Sequence, residues 1–228
     1  MADLNAKTIV VVGASGVLGA EIADQLAAAG ARIIGTASYA QTTLAIPASA
    51  GERHVCDLND AASVREFVDG LHARRLPIDG IVMAAGLVAF GPARETPEGV
   101  LETLLRVNAL GPINLINSLA PLMAGRDGAF VVTISGKIAE VPTAGIAAYS
   151  ASKIALHGWV SAASREFRRE GIRLMDARPG HTETGLASRA IWGVAPVFAA
   201  GLSLAHVASR IVQGIVDDEK DLPSSAFE

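Results

Sequence analysis

Residues 7–19 read Lys7-Thr8-Ile9-Val10-Val11-Val12-Gly13-Ala14-Ser15-Gly16-Val17-Leu18-Gly19. A β-branched run that stops at a glycine predicts a buried strand, and the small and apolar residues from Ala20 to Ala29, closed by Gly30, predict a helix. A glycine turn between the two lets backbone N–H groups along Ser15, Gly16, Val17 and Leu18 approach a pyrophosphate. The helix N-terminus adds partial positive charge for the phosphates. Glycines alone are weak evidence; a strand directly before them and a helix directly behind make the dinucleotide-binding reading credible.

Outward from this stretch, strands and helices alternate. Arg32 to Thr36 predicts a second strand and His54 to Cys56 a third, ending at Asp57-Leu58. Asn59 or Asp60 caps a helix that runs to about Arg75. Asp79 to Met83 predicts a fourth strand, closing on Ala84-Ala85-Gly86, a small-residue turn that again allows close backbone approach to a ligand. Thr96 to Met123 predicts a helix interrupted by Gly111-Pro112 just after Asn108, where proline frees a carbonyl. Ala129 to Ile134 predicts a fifth strand leading through Ser135-Gly136 into a loop and a helix that reaches about Glu170. Ile172 to Ala177 predicts a sixth strand, and His206 to Val216 a last helix. The order predicts an α/β fold, a Rossmann-type doubly wound parallel sheet in one domain over residues 1–228, with functional residues at the carboxyl ends of the strands.

Composition agrees. Half of the 228 residues are apolar while aromatics are 4%, so the core is built from Ala, Val, Ile and Leu, as suits a parallel sheet under close-packed helices. A net charge of −4 without any basic run argues against nucleic acid as a partner. No apolar stretch has the length of a membrane span and the N-terminus lacks a signal-peptide pattern, so a cytoplasmic location is expected. The single cysteine, Cys56, excludes an internal disulfide and reads as a buried, inert thiol. The histidines form no group with carboxylates, so no metal site is expected.

The chemistry concentrates in Tyr149-Ser150-Ala151-Ser152-Lys153. Tyrosine and lysine four residues apart lie on one helix face, and an ammonium beside a phenol favours the phenolate, drawing the acid toward working pH. Such a group gives a proton to a carbonyl oxygen or takes one from an alcohol. Alone, the pair reads as two helix-surface residues; its neighbours change that reading. At the end of the second strand, Ala37-Ser38-Tyr39-Ala40 offers neither the carboxylate that binds the ribose 2′-hydroxyl of NAD nor a base for the 2′-phosphate of NADP. The missing acid, with hydroxyls on Thr36 and Ser38, favours NADP over NAD.

In this order the residues resemble the short-chain dehydrogenases/reductases over about residues 7–184. The likeness is carried jointly by the glycine turn, Asp57-Leu58, Ala85-Gly86, Asn108, the Tyr149–Lys153 turn, and Pro179-Gly180 with Thr184. It implies an oxidoreductase that uses NADP or NAD to reduce a carbonyl or oxidise a secondary alcohol. Tyr149 would be the acid/base. Lys153 would bind the nicotinamide ribose and lower the tyrosine pKa, and Asn108 would hold a water in a proton relay. Asp57 and Leu58 would meet the adenine, Ala84, Ala85 and Gly86 would line the cofactor, and Pro179, Gly180, Thr182 and Thr184 would order over it. A homodimer or tetramer is implied through the helices at 96–123 and 149–170.

The chain departs from the family at three places. The spacing of Gly13, Gly16 and Gly19 is more like that of extended or atypical branches. Ala84 stands where the family has an asparagine that braces the central strand. The catalytic serine falls on Gly136, with Ser135 beside it, so a one-residue shift is expected to bring the Ser135 hydroxyl into the site. A mobile-looking lid over residues 185–201, with Trp192, Val194, Val197 and Phe198, suggests an apolar substrate. His181 reads as a solvent-facing loop residue, and Glu183 as an acid at a helix N-terminus. A cofactor-binding regulatory protein without catalysis is the alternative, motivated by Gly136 and Ala84. Dehalogenase chemistry resembles the chain less, because it goes with arginine in place of Lys153.

Overall fold

The computed structural model describes residues 3–228. Its strands are β1 (Thr8–Val12), β2 (Arg32–Ala37), β3 (Glu52–Val55), β4 (Gly80–Met83), β5 (Ala129–Ile134), β6 (Ile172–Ala177) and β7 (Asp221–Leu222). All pair in parallel in the order β3-β2-β1-β4-β5-β6-β7. The order reverses between β1 and β4, and there the carboxyl ends leave a crevice.

Alternation along each strand builds two cores. Val10 and Val12 of β1, Ile81 and Met83 of β4 and Val131 of β5 face one side. There they meet Val64 and Phe67 of α2 (Ala61–Ala73), Leu115 and Leu119 of α4 (Gly111–Met123) and Leu156 and Val160 of α5 (Ala147–Arg169). Ile9, Val11, Val82, Phe130 and Val132 face the other side. They are covered by Ile22 and Leu26 of α1 (Val17–Ala28) and by Val207 and Ile211 of α6 (Leu204–Val216). Residues i and i+2 share a face of a strand, so one continuous apolar run serves both layers. Each such side chain taken fully from water contributes roughly 1.5–3 kcal/mol before the entropy of ordering is set against it.

The inner strands lie where the sequence pattern puts them, and the edges do not. β3 begins at Glu52 rather than His54, and its residues alternate between half-buried and exposed, so an edge position tolerates charged residues that the apolar pattern excludes. β7, a two-residue strand beside β6, was not expected. Asp60, not Asn59, caps α2 by accepting from Ala62 N–H at 2.8 Å. The interrupted helix resolves into α3 (Glu98–Leu105), a π-helical turn (Arg106–Leu110) and α4.

The expected lid is stitched down. Ile191 N–H donates to Val88 O at 2.9 Å, Phe90 N–H donates to Trp192 O at 2.9 Å, and Thr182 bridges Leu202. The Trp192 ring lies over Gly91, where a side-chain carbon would come within 2.4 Å of it. This backbone pairing at Ile191, Trp192 and Leu202, invisible in composition, ties the segment to the loop after β4 and to residues 181–183. Glu183 is not at a helix N-terminus; its carboxylate accepts from Gly201 N–H at 2.8 Å.

Candidate active site

The glycine turn is built for close approach. Gly13 has φ of +82°, and a side chain there would strike the Ala85 backbone nitrogen at 2.7 Å. A side chain on Gly19 would reach Gly13 O at 2.3 Å. The turn therefore packs between β4 and α1 only with hydrogen at both positions. Gly16 precedes α1 with no side-chain cap, so the first N–H groups of a twelve-residue helix remain free to meet an anion. That cradle fits a dinucleotide pyrophosphate.

A cleft of about 1020 Å³ runs from this turn along the carboxyl ends of the strands. Gly13, Ser15, Gly16, Val17, Leu18, Ser38, Asp57, Leu58, Ala84, Ala85 and Gly86 line it, and so do Tyr149, Lys153, Pro179, Gly180, Thr182 and Thr184. Nearly every residue expected to touch a cofactor thus shares one cavity, Gly19 serving behind the turn. Asp57 is fixed within its loop, its N–H donating to Ser63 Oγ at 3.0 Å and its carboxylate accepting from Asn59 N–H at 2.9 Å. Thr36 is different. It is fully buried, and its hydroxyl oxygen accepts from Gly13 N–H at 3.4 Å. It braces the turn, so of the two hydroxyls Thr36 and Ser38 the cleft is lined by Ser38. Cys56 is buried, and burial pushes its thiol up to about 12.

Tyr149 and Lys153 stand one turn apart on α5, with the ammonium 5.9 Å from the phenol ring centroid. Lys153 Nζ donates to Ile134 O at 2.8 Å. Gly86 leaves room for it, since a side-chain carbon there would sit 3.4 Å from both Lys153 Nζ and Asn108 Oδ1. In the ligand-free site, burial pushes the Tyr149 phenol up to about 12 and pulls Lys153 down to about 8, the latter opposed by the charge of Asp176. The expected depression of the tyrosine by its lysine is therefore absent here; desolvation outweighs the ion.

Asn108 lies in the π-helical turn with its amide fully used. Its Oδ1 accepts from Leu87 N–H at 2.9 Å, while Nδ2 donates to Leu87 O and Ser152 Oγ, both at 2.9 Å. The side chain is a brace between the β4 loop and α5. Its backbone carbonyl is left with proline, Pro112, at the i+4 position where a helix supplies a donor.

The expected shift of Ser135 into the site does not occur. Ser135 is fully buried, and its hydroxyl donates to Asp176 Oδ2 at 2.5 Å. Ser135 lines the cleft wall, with its hydroxyl turned to Asp176. Gly136 has φ of +79°, and a side chain there would meet nothing nearer than Pro179 O at 3.6 Å. Space is available for a serine at 136; the left-handed backbone is what disfavours one.

At the far end the cleft is walled by Val88, Phe90, Val141, Ile146, Ile191 and Phe198. His181 also lines it and stacks on Phe198, ring centroids 4.5 Å apart at 23°. The histidine is thus both exposed and a wall of the cleft. Reading from sequence missed the polar cluster of His157, Asp176 and Arg178 behind Ser135. A charged residue inside an apolar strand, and a histidine one turn beyond Lys153, were the available signals.

The family model for short chain dehydrogenases matches residues 7–191. The 2,3-dihydro-2,3-dihydroxybenzoate dehydrogenase of Escherichia coli is 29% identical over 190 residues, covering 83% of this chain and 75% of that one. A short-chain dehydrogenase from Streptomyces avermitilis has a TM-score of 0.81 at 28% identity, over 97% of this chain and 89% of the other. A metagenomic short-chain oxidoreductase solved with NADP has a TM-score of 0.78 at 26% identity, over 98% and 96% of the two chains. With a glycine cradle, a Tyr–Lys helix face and a seven-stranded parallel sheet meeting at one cleft, this chain belongs to the short-chain dehydrogenase family.

Proposed function

We propose that this protein moves a hydride between a nicotinamide dinucleotide and the carbonyl–alcohol pair of an apolar substrate, with Tyr149 as the general acid/base. The observation that carries the reading is the Tyr149–Lys153 face opening into the same cleft as the glycine turn. The dinucleotide supplies the hydride when bound; the chain's own residues orient, exclude water and manage the proton. The α1 N-terminus and Ser15 hold the pyrophosphate, Asp57 and Leu58 flank the adenine, and Thr182 and Thr184 close over the cofactor. Tyr149 protonates the substrate oxygen in reduction and accepts its proton in oxidation. Lys153, tied to Ile134 O, fixes the ribose and offsets the developing phenolate. The Asn108 carbonyl, with Pro112 rather than a donor at i+4, is assigned as the relay acceptor, while Asn108's amide holds the loop in place.

Ser38, without an acidic neighbour at the end of β2, favours NADP; the metagenomic relative was solved with NADP. The walls at Phe90, Val141, Ile146, Ile191 and Phe198 favour an apolar body on the substrate, and a cyclic hydroxylated acid such as the E. coli relative's is a first compound to try. Exposed Leu101, Leu110 and Ile154 on the α3–α5 layer suit self-association. No helix among the described residues is long and apolar enough to cross a membrane, and we place the protein in the cytoplasm. A panel of carbonyls and alcohols with NADPH and NADH tests the reading. Turnover abolished by Tyr149→Phe is expected; full activity in that variant refutes the assigned acid.

A second reading, a cofactor-binding regulator without catalysis, is favoured by one observation: the Ser135 hydroxyl is bound to Asp176, and Gly136 beside it carries none. It predicts stabilisation by NADPH with no turnover across the panel.

A further inference from the structure

Behind the Ser135–Gly136 turn, β6 carries a carboxylate that hydride transfer does not use. Asp176 is 2% exposed. Its Oδ1 accepts from Thr133 Oγ1 at 2.6 Å and its Oδ2 accepts from Ser135 Oγ at 2.5 Å. The same Oδ2 lies 2.8 Å from His157 Nδ1 and 3.3 Å from Arg178 Nη1. Thr133 is the register partner of Asp176, and Ser135, two residues on, projects from the same face. His157 follows Lys153 by four residues and Tyr149 by eight, so all three share one face of α5. A second cavity of about 310 Å³, lined by His157, Asp176, Arg178, Lys220 and Asp221, opens the cluster to solvent.

Burying a carboxylate is costly, and an apolar residue would pack in a strand without that cost. The bonds of Asp176 run to two parts of the active site. One is the turn that begins where Lys153 Nζ is bound to Ile134 O; the other is the helix face that carries Tyr149 and Lys153.

We propose that Asp176 is a positioning residue of the active site: through Ser135 it fixes the turn at the cleft wall, and through His157 it holds the helix face that carries Tyr149 and Lys153. Arg178 does not cancel the charge of Asp176, because it is shared with Glu140 and bound bidentately by Asp221 at 2.7 and 2.6 Å. Three carboxylates therefore face one guanidinium and one imidazole. Facing Lys153 are the Tyr149 phenol from its own helix and the uncharged Asn108 amide and Ile134 carbonyl; the charge of Asp176 reaches it from β6. The burial that draws Lys153 down to about 8 is opposed by this charge.

The inference rests on the oxidoreductase reading, and its test separates the two. The chain has four lysines, Lys7, Lys137, Lys153 and Lys220, so side-chain carbon NMR follows each titration in the ligand-free protein. In Asp176→Asn, Lys153 is expected to lose its proton about one pH unit lower than in the wild type, and the high-pH limb of kcat/KM, which reports the free enzyme, to move with it. Ser135→Ala keeps the carboxylate, so its limb stays in place while kcat/KM falls about tenfold with NADPH binding retained. A folded Asp176→Asn with wild-type kcat/KM and an unmoved Lys153 titration, or a Ser135→Ala with wild-type kcat/KM, overturns the assignment. Should Asp176→Asn fail to fold, Asp176→Glu keeps the charge on a longer arm: an unmoved Lys153 titration with lowered kcat/KM supports the proposal, and wild-type kcat/KM overturns it. If the wild type turns over nothing, the functional reading fails, and the lysine titration still decides the coupling.

Discussion

Asp79 and Asp176 are both buried aspartates of the sheet, 1% and 2% exposed, at its opposite ends. Asp79 precedes β4 at the amino end. It accepts from Thr8 N–H at 2.8 Å and from Arg126 Nε at 2.9 Å, with Lys7 Nζ 3.6 Å away. Its cations reach in from the surface and neutralise it, tying β1, β4 and the loop after α4 together. Asp176, at the carboxyl end of β6, is met by two hydroxyls, an imidazole and a guanidinium already bound by other carboxylates. The residue type and the burial are the same. The difference is what the remaining field faces: loop backbone at one end, and Lys153 with a cleft at the other. Parallel sheets place every carboxyl end on one rim, so chemistry gathers there and the other rim serves stability.

That contrast is sharpest for Tyr149→Phe, which removes one oxygen at the cleft rim. Its kcat is expected to fall by ~10³, within the range for general acid catalysis, with NADPH-induced stabilisation intact in a thermal shift assay. Asp79→Asn is the mirror experiment at the other rim. Leaving Lys7 and Arg126 without their anion should cost about 2–4 kcal/mol in urea unfolding, with kcat unchanged below the transition. A drop in kcat would break the proposed division of the sheet.

Smaller effects come from two glycines with similar backbones. Gly136 at the cleft has φ of +79° and Gly125, beyond α4, has φ of +71° with open space around it. Alanine at either should cost about 1–2 kcal/mol of strain. Only Gly136→Ala is expected to lower kcat/KM, and Gly136→Ser is not expected to raise it. A pH effect is also expected on the ligand-free protein. Folding lowers Lys153 from 10.5 to about 8, so between those values the unfolded chain binds more protons and stability rises with pH. Tyr149, raised from 10.0 to about 12, does the reverse, and stability falls with pH across that window. Each slope is at most about 1.4 kcal/mol per pH unit. Urea midpoints across this range, compared with Lys153→Met, should lose the rising limb; activity, which needs the ammonium, should fall where stability climbs.

The inner strands and the glycine turn were legible because β1, β4 and β5 are buried on both faces and carry nearly unbroken apolar runs, and β6 keeps enough of one around Arg173 and Asp176. β3 and β7 lie at the edges, half in water, where Glu52 and Asp221 are as acceptable as valine. The site was legible where one helix or one turn supplies the geometry, as for Tyr149 with Lys153 and for Gly13 to Gly19. It was not legible at Ser135, Thr36 and Trp192, whose partners are Asp176, Gly13 and Gly91.

By itself, the sequence determined the layers of this protein and the pairing of phenol with ammonium. Strand and helix periods follow from covalent geometry over a few residues. Only the tertiary structure decided that Ser135 turns away from the cleft toward Asp176, that Gly136 takes a left-handed backbone, and that the segment around Trp192 is held down. Those outcomes depend on which distant donor or acceptor is nearest once the chain has closed, and local pattern carries no term for that.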